Sequence, residues 1–441
     1  MSGYCGELHG RAAEASALDA YSSFGNSEVS MKSAIRLILW SVLVALVLSS
    51  CVSTSSHQVP VTAKAPVTIP ADVTGYGAIF LQARVNNSQP MWFALDSGMS
   101  FPFVIDIRRS NALGLKLRDV VTAGGGAGPN AYEVAMTRGV SLNLGSLDFA
   151  DQSAAVIALG SLEGITGRAL DGLVGCDLFS RYVVELDYLA SKIVLHDPET
   201  YTYSGAGESM PLTKRGDHFF VSAKIEMPGR PQLDGQFLID TGGAFVTVVL
   251  NAPFARSSDL PPSNQRMVLD RSLSGLGGET KVLVSRAKSF TLGKLVISVP
   301  VVYVSQDTGG ALASRDFDGV IGGELLRRFK VIFDYARRRL VLEKNAYYAE
   351  PMEYDMSGIR LRAEGDDFRT FRVSQVLENS PAAEARLREG DVLAAIDGTP
   401  ASSFSLDEIY QMLKRQGCEY RLSLRRGGET FFVKIKMQRL I

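Results

Sequence analysis

One pattern is written twice along the 441 residues of this chain. Phe93-Ala94-Leu95-Asp96-Ser97-Gly98 is followed by Asp171-Gly172-Leu173-Val174-Gly175-Cys176. Phe237-Leu238-Ile239-Asp240-Thr241-Gly242 is followed by Asp318-Gly319-Val320-Ile321-Gly322-Gly323. The leading aspartates stand 144 residues apart (240 − 96) and the second motifs 147 (318 − 171). The repeat extends to Tyr182-Val183-Val184-Glu185-Leu186-Asp187-Tyr188 and Phe329-Lys330-Val331-Ile332-Phe333-Asp334-Tyr335, each running on into another apolar stretch. Each copy also has a Gly-rich segment between its motifs, at 124–128 and 274–278. An internal repeat fixes architecture before any local signal does, and two copies mean a duplicated lobe and not a solenoid. Each lobe brings one carboxylate to the end of an apolar strand.

Composition narrows the field. With 46 basic and 47 acidic residues the formal charge is −1, and 46% of residues are hydrophobic, as in a globular protein. There is no basic run or aromatic-basic interleaving, so the reading includes no nucleic-acid partner. The four histidines form no metal-binding pattern, and neither a metal nor an organic cofactor is expected. Of the four cysteines, Cys176 and Cys418 fall in different expected domains, which argues against a disulfide framework.

The N-terminal region reads as an address. Met31-Lys32-Ser33-Ala34-Ile35-Arg36 precedes the apolar run 37–48 and then Ser49-Ser50-Cys51, the order of an export signal. The run is shorter than the roughly 20 residues of a membrane span. Residues 1–30 are expected to be an upstream extension outside the fold, with Met31 the true start, and 52–73 a Ser/Thr/Val/Pro-rich linker.

From Tyr76 to about Asn345 short apolar or alternating runs are broken by Gly, Pro, Asn and Asp. This predicts strands near 78–85, 219–225 and 299–304, with brief helical turns mainly after Gly175 and Gly322. The fold class is therefore mainly β, with lobe boundaries at 74–203 and 204–348. The last hundred residues differ. Ser405-Leu406-Asp407-Glu408 opens a helix with a capping box, and strands at 420–424 and 431–435 flank a Gly427-Gly428 turn.

Two carboxyls close together cannot both ionise, so one pKa rises and the pair can hold a single proton. Such a pair activates water as base while protonating a developing oxyanion as acid. A hydroxyl at the next position (Ser97, Thr241) can bond within and across the loops. Gly98 and Gly242 let the backbone turn tightly. Plainer readings cover the neighbours: turn chemistry for Asp171 and Asp318, burial for Cys176. The segment 124–128 lacks the Lys and following helix of a phosphate loop.

On these motifs residues 76–345 resemble a retropepsin-type aspartic protease, two lobes fused in one chain. The resemblance implies Asp96 and Asp240 as the catalytic dyad, Ser97, Gly98, Thr241 and Gly242 as support, and peptide hydrolysis by water. It makes Leu173-Val174-Gly175 and Val320-Ile321-Gly322 the elements that thread behind each catalytic loop. Gly125, Gly126, Gly277 and Gly278 are its flap candidates. Pepsin-like members usually carry a further hydroxyl after the triplet; Met99 and Gly243 stand there instead, implying a less acidic dyad. With both lobes in one chain, a monomer can be complete.

Residues 353–441 resemble a bacterial PDZ domain through Asn379-Ser380-Pro381-Ala382, Leu387-Arg388-Glu389-Gly390-Asp391-Val392-Leu393 and Ile396-Asp397-Gly398. The implied fold is small and α+β, with Gly358, Ile359, Arg360 and Leu361 as the loop that holds a peptide carboxylate. Its implied partner is a peptide or protein ligand, beside the polypeptide substrate of the lobes. The hydrophobic tail Leu440-Ile441 either fills that groove or ends the last strand, and the latter is the simpler expectation. Leu48-Ser49-Ser50-Cys51 resembles a lipobox, implying lipidation at Cys51 and anchoring to a bacterial membrane, in the periplasm. The competing class is a peptide-binding lipoprotein whose duplicated loops survive only as structure.

Overall fold

A computed structural model of the chain describes residues 66–124 and 126–441. The export signal, Cys51, most of the expected linker and the flap candidate Gly125 lie outside the described residues. The described residues belong to one compact unit, mainly β.

The repeated apolar strands explain how the two lobes join. Val183–Asp187 pairs antiparallel with Phe329–Asp334, with Val184 opposite Phe333, Glu185 opposite Ile332 and Leu186 opposite Val331. In the sequence repeat Val184 corresponds to Val331 and Leu186 to Phe333, so each copy pairs as the other does. A pseudo-two-fold axis therefore passes beside the Glu185–Ile332 pair, the self-complementary pairing that a two-fold imposes. Lys192–His196 and Arg339–Lys344 extend the sheet on either side. Val67–Pro70, at the end of the expected linker, is its outer strand, pairing with Lys192–His196. Its alternating pattern puts Val67 and Ile69 in the core. On the other side Glu208–Arg215 pairs with Arg339–Lys344 and leads on to His218–Glu226 in the second lobe.

Each lobe is built around a short strand with mixed pairing. Gly172–Val174 runs parallel to Met91–Leu95 and antiparallel to Phe103–Asp106. Gly319–Ile321 repeats this with Leu233–Ile239 and Val248–Leu250. The leading Asp of each motif ties the strand in place: Asp171 accepts from Trp92 N at 2.8 Å and Asp318 from Gln236 N at 2.7 Å. Short helices follow where the glycines end each strand, Cys176–Arg181 and Gly323–Leu326.

The C-terminal domain has a core of its own, including Ile359, Phe371, Ile396, Ile409 and Leu424. Its helix Leu406–Leu413 carries the full Ser405/Glu408 capping box. Glu419–Arg426 and Glu429–Lys436 form the closing hairpin. The tail does not follow either expectation. The last strand ends at Lys436, and Leu440 is buried with Ile441 in the core of the lobes, where Arg286 bonds the Ile441 carbonyl at 3.4 Å. Burying those two apolar side chains is favourable wherever a matching surface exists, and the second lobe supplies it.

Glycine in the short central strands is required by space. A Cβ on Gly319 would lie 2.2 Å from the Val249 carbonyl oxygen, a backbone atom with no room to yield. Gly319→Ala is expected to cost at least about 2 kcal/mol, in the range of core overpacking, measured as a lower urea midpoint at unchanged slope.

Candidate active site

The two repeated triplets meet at the pseudo-two-fold, and their hydroxyls cross-link them. Thr241 Oγ1 accepts from Ser97 N at 3.0 Å and donates to Leu95 O at 2.9 Å. Ser97 Oγ accepts from Thr241 N at 3.1 Å and donates to Ile239 O at 2.8 Å. Both side chains are buried. The strands behind supply the other anchors, Asp96 N to Val174 O at 2.9 Å and Asp240 N to Ile321 O at 3.0 Å.

This brings Asp96 and Asp240 together, each against the other loop's glycine. A Cβ on Gly98 would sit 2.7 Å from Asp240 Cγ, and one on Gly242 2.5 Å from Asp96 Cγ. Gly98 N donates to Asp96 Oδ1 and Gly242 N to Asp240 Oδ1, both at 2.9 Å. The two carboxyls also hydrogen-bond each other.

Their electrostatics follow from that placement. Burial holds the Asp96 carboxyl well above the usual range, and the Asp240 charge pushes it the same way. The Gly98 and Met99 amides act in the opposite sense. Burial also raises Asp240, opposed by the Gly242 amide, the Asp96 hydrogen bond, the Gly243 amide and the His218 charge. At the positions where a pepsin-like hydroxyl is missing, backbone amides alone assist the anions. Desolvation is the larger cause of the upward shift.

The glycine-rich segments of the two lobes meet each other. The hairpin strands Arg118–Ala123 and Tyr132–Leu144 carry one tip, and Val268–Gly275 with Gly278–Arg286 carry the other. Asn130 N donates to Gly277 O at 3.0 Å and Gly277 N to Ala127 O at 2.9 Å. Gly126 lies against Leu276. Gly278 has φ +92°, the left-handed region that suits glycine at a tip. Gly126, Gly277 and Gly278 thus lie at the touching tips.

Two residues near the dyad escaped the sequence reading. Tyr132, next to the tip of the first hairpin and opposite Ala123, has its phenol pushed up by burial and by the Asp96 charge. His218 reaches from the second lobe to the loop of the first triplet, with Nε2 3.0 Å from Gly98 O and 3.2 Å from Ser100 Oγ. Neither belongs to a repeated motif. The only available signal was position, Tyr132 just after the Gly-rich segment and His218 at the start of the strand His218–Glu226. Cys176 donates its thiol to Ser100 O at 2.9 Å behind that loop.

The PDZ-like loop is placed differently from its expected role. Gly358 N and Ser357 N donate to the buried Asp355 carboxylate at 2.6 and 3.1 Å, and Ile359 N to Ser357 Oγ at 2.9 Å. Arg360 is buried and pairs with Asp270 at 2.9 Å. Leu361 N lies 3.0 Å from Tyr410 Oη. Among the described residues no cluster of three or more His, Cys, Asp or Glu could hold a metal ion. No helix among them is long and apolar enough to cross a membrane.

An aspartyl protease family model matches residues 81–178 and 221–325, one segment per lobe, and a PDZ domain model matches 352–425. Over 66 residues in the PDZ region the chain is 38% identical to the periplasmic serine endoprotease DegP of Escherichia coli (strain K12). It is 36% identical over 66 residues to the Salmonella typhimurium protein of the same name. These stretches cover 15% of this chain and 14% of those relatives. The crystal structure of an aspartic proteinase from Irpex lacteus aligns with a TM-score of 0.41 at 17% identity, covering 65% of this chain and all of that one.

Two outcomes follow from the site geometry. Thr241→Val removes an acceptor from Ser97 N and a donor from Leu95 O, both buried, and is expected to cost about 2–4 kcal/mol in chemical unfolding; Thr241→Ser, which keeps the hydroxyl, should cost under about 1 kcal/mol. Asp96 has a raised native pKa, so its stabilising contribution is complete below the unfolded value near 3.9 and is lost as pH rises through the native one. Asp96→Asn should therefore raise the melting temperature at pH 7 and lose that advantage toward pH 4.

Proposed function

We propose that this chain, which has a retropepsin-like aspartic protease fold followed by a C-terminal PDZ domain, is an endopeptidase in which Asp96 and Asp240 activate water. The observation that carries the proposal is the pair of hydrogen-bonded carboxyls, both raised by burial, at the meeting point of two pseudo-symmetric loops. At intermediate pH the pair holds one proton. The ionised carboxyl takes a proton from water as it attacks the peptide carbonyl, and the protonated one supplies a proton to the carbonyl oxygen. The roles belong to the pair, not to a fixed member.

The flaps supply the other requirement. Extended backbone lying under two hairpin tips can bond to both, and closing them keeps bulk water from the reacting bond. Phe101, Tyr132, Met136 and Leu276 are partly buried apolar side chains around the cluster beside Asp96, which favours substrates with hydrophobic side chains about the cleaved bond. We further propose that the protein is exported and held at a membrane by a lipid on Cys51, on the strength of Leu48-Ser49-Ser50-Cys51 and the signal before it.

Cleavage of a mixed peptide library tests the central reading. Asp96→Asn and Asp240→Asn should each lower kcat/KM by about 10²–10⁴-fold, the scale of a lost acid–base group. Equal cleavage by the variants would overturn it. Because burial raises both carboxyls, the kcat/KM profile of the wild type should be bell-shaped with its maximum above about pH 4. A maximum below about pH 3 would contradict the desolvated dyad.

A further inference from the structure

A peptide joins a PDZ-type groove by adding a strand to its edge, so the edge's free amides and carbonyls measure whether the groove is open. Here the edge is Ile359–Glu364 and the facing wall is the helix Leu406–Leu413. Tyr410 Oη, from that helix, accepts from Leu361 N and donates to Leu361 O, both at 3.0 Å. The loop amides that a peptide carboxylate needs are engaged by Asp355. The short helix Gly160–Thr166 of the first lobe and its C-cap Gly167 lie against the two walls. A Cβ on Gly164 would be 3.2 Å from Ala363 O on the strand, and one on Gly167 2.7 Å from Leu406 Cβ on the helix. The docked face continues at Gly75 N, which donates to Asp407 at 2.8 Å, and at the Lys414–Glu324 pair.

The same domain grips the second flap. Asp270, in the strand Val268–Gly275, is buried and accepts from Arg360 at 2.9 Å and from Tyr354 Oη at 2.7 Å. Gln375 holds the residues on either side, its Oε1 accepting from Arg271 N at 2.9 Å and its Nε2 donating to Leu269 O at 3.3 Å. Arg360 also lies 3.5 Å from Asp355, so the loop carboxylate and the flap carboxylate share one guanidinium. On its other side, Tyr410 packs edge-on against Phe245, five residues beyond Asp240, and Phe245 stacks on Tyr76.

We infer that the docked PDZ domain and a peptide-filled PDZ groove are mutually exclusive states, and that a peptide with a free C-terminal carboxylate releases the second flap by undocking the domain. The inference rests on the reading above only in taking that flap as the cover of the substrate site. A strand added at Leu361 needs the atoms Tyr410 holds, a carboxylate in the loop needs the amides Asp355 holds, and the peptide chain needs the space of helix Gly160–Thr166. Undocking separates Asp270 from Arg360 and lets the flap move. By linkage the coupling is reciprocal: a ligand that closes the flap weakens peptide binding by the same factor. Docking also lowers the apparent affinity of the groove, because only the undocked fraction can bind.

The test uses the full chain carrying Asp96→Asn, with the peptide Gly-Ser-Val-Leu-Ile as free acid and as C-terminal amide. Binding is followed by calorimetry, and flap opening by amide hydrogen exchange across 268–286. The acid should bind about tenfold tighter than the amide and raise flap exchange roughly threefold or more. Tyr410→Phe, which frees the strand edge, should bind the acid tighter by roughly threefold or more. Binding without a change in flap exchange would overturn the coupling. Failure of both proteins to bind the acid would overturn the groove as a ligand site. Neither readout depends on turnover, so an inactive wild type with an intact exchange response would contradict only the protease reading.

Discussion

Everything at the centre of this molecule depends on two hydroxyls that each bond into the opposite loop. Ser97 and Thr241 exchange four hydrogen bonds with backbone groups of the facing lobe, all buried. Buried polar groups are stable only when satisfied, so each loop can be buried only in the presence of the other. That requirement sets the separation of Asp96 and Asp240 and places each against the partner loop's glycine. The raised pKa values are a consequence: once the loops are locked, neither carboxyl can retreat to water or from its neighbour.

The lobe interface repeats the same logic on a larger scale. A strand pattern, repeated in the two lobes, pairs with its own copy about Glu185 and Ile332. Symmetry breaks at a few particular contacts. His218 reaches Gly98 from one lobe only, Met99 and Gly243 differ behind the triplets, and the PDZ domain grips one flap through Asp270 while covering the other lobe through helix Gly160–Thr166. A duplicated scaffold thus presents two carboxyls in unlike surroundings, with one flap tied to a separate domain.

What could be read from the sequence was what recurs or what is local. The doubled Asp-Ser/Thr-Gly triplets, the hydrophobic-hydrophobic-Gly elements and the Ser405/Glu408 box each sit within a few residues, and the short-range physics that forms them leaves a pattern. The contacts that were not legible join distant segments once and have no copy. Asp270 and Arg360 are 90 residues apart, and nothing in either neighbourhood marks them as partners. Asp355 has no sequence pattern to mark it, yet its carboxylate accepts from the amides of Ser357 and Gly358. Val67–Pro70 was expected to be linker because its composition suits one; its alternating burial appears only when a sheet edge is there to receive it. The tail was read from the strand before it, while its place is decided by an apolar surface on the second lobe.

The claim beneath the whole account is that the two carboxyls share one proton in a desolvated site. Carbon-13 NMR of the aspartate carboxyls, followed from acid to neutral pH in the wild type and in Asp240→Asn, measures this without a substrate. The account predicts two linked steps with widely separated apparent pKa values, the upper well above the ordinary carboxylate range, merging into a single step in the variant. Two independent titrations near an ordinary Asp value of about 3.9, unchanged by removing one partner, would contradict it.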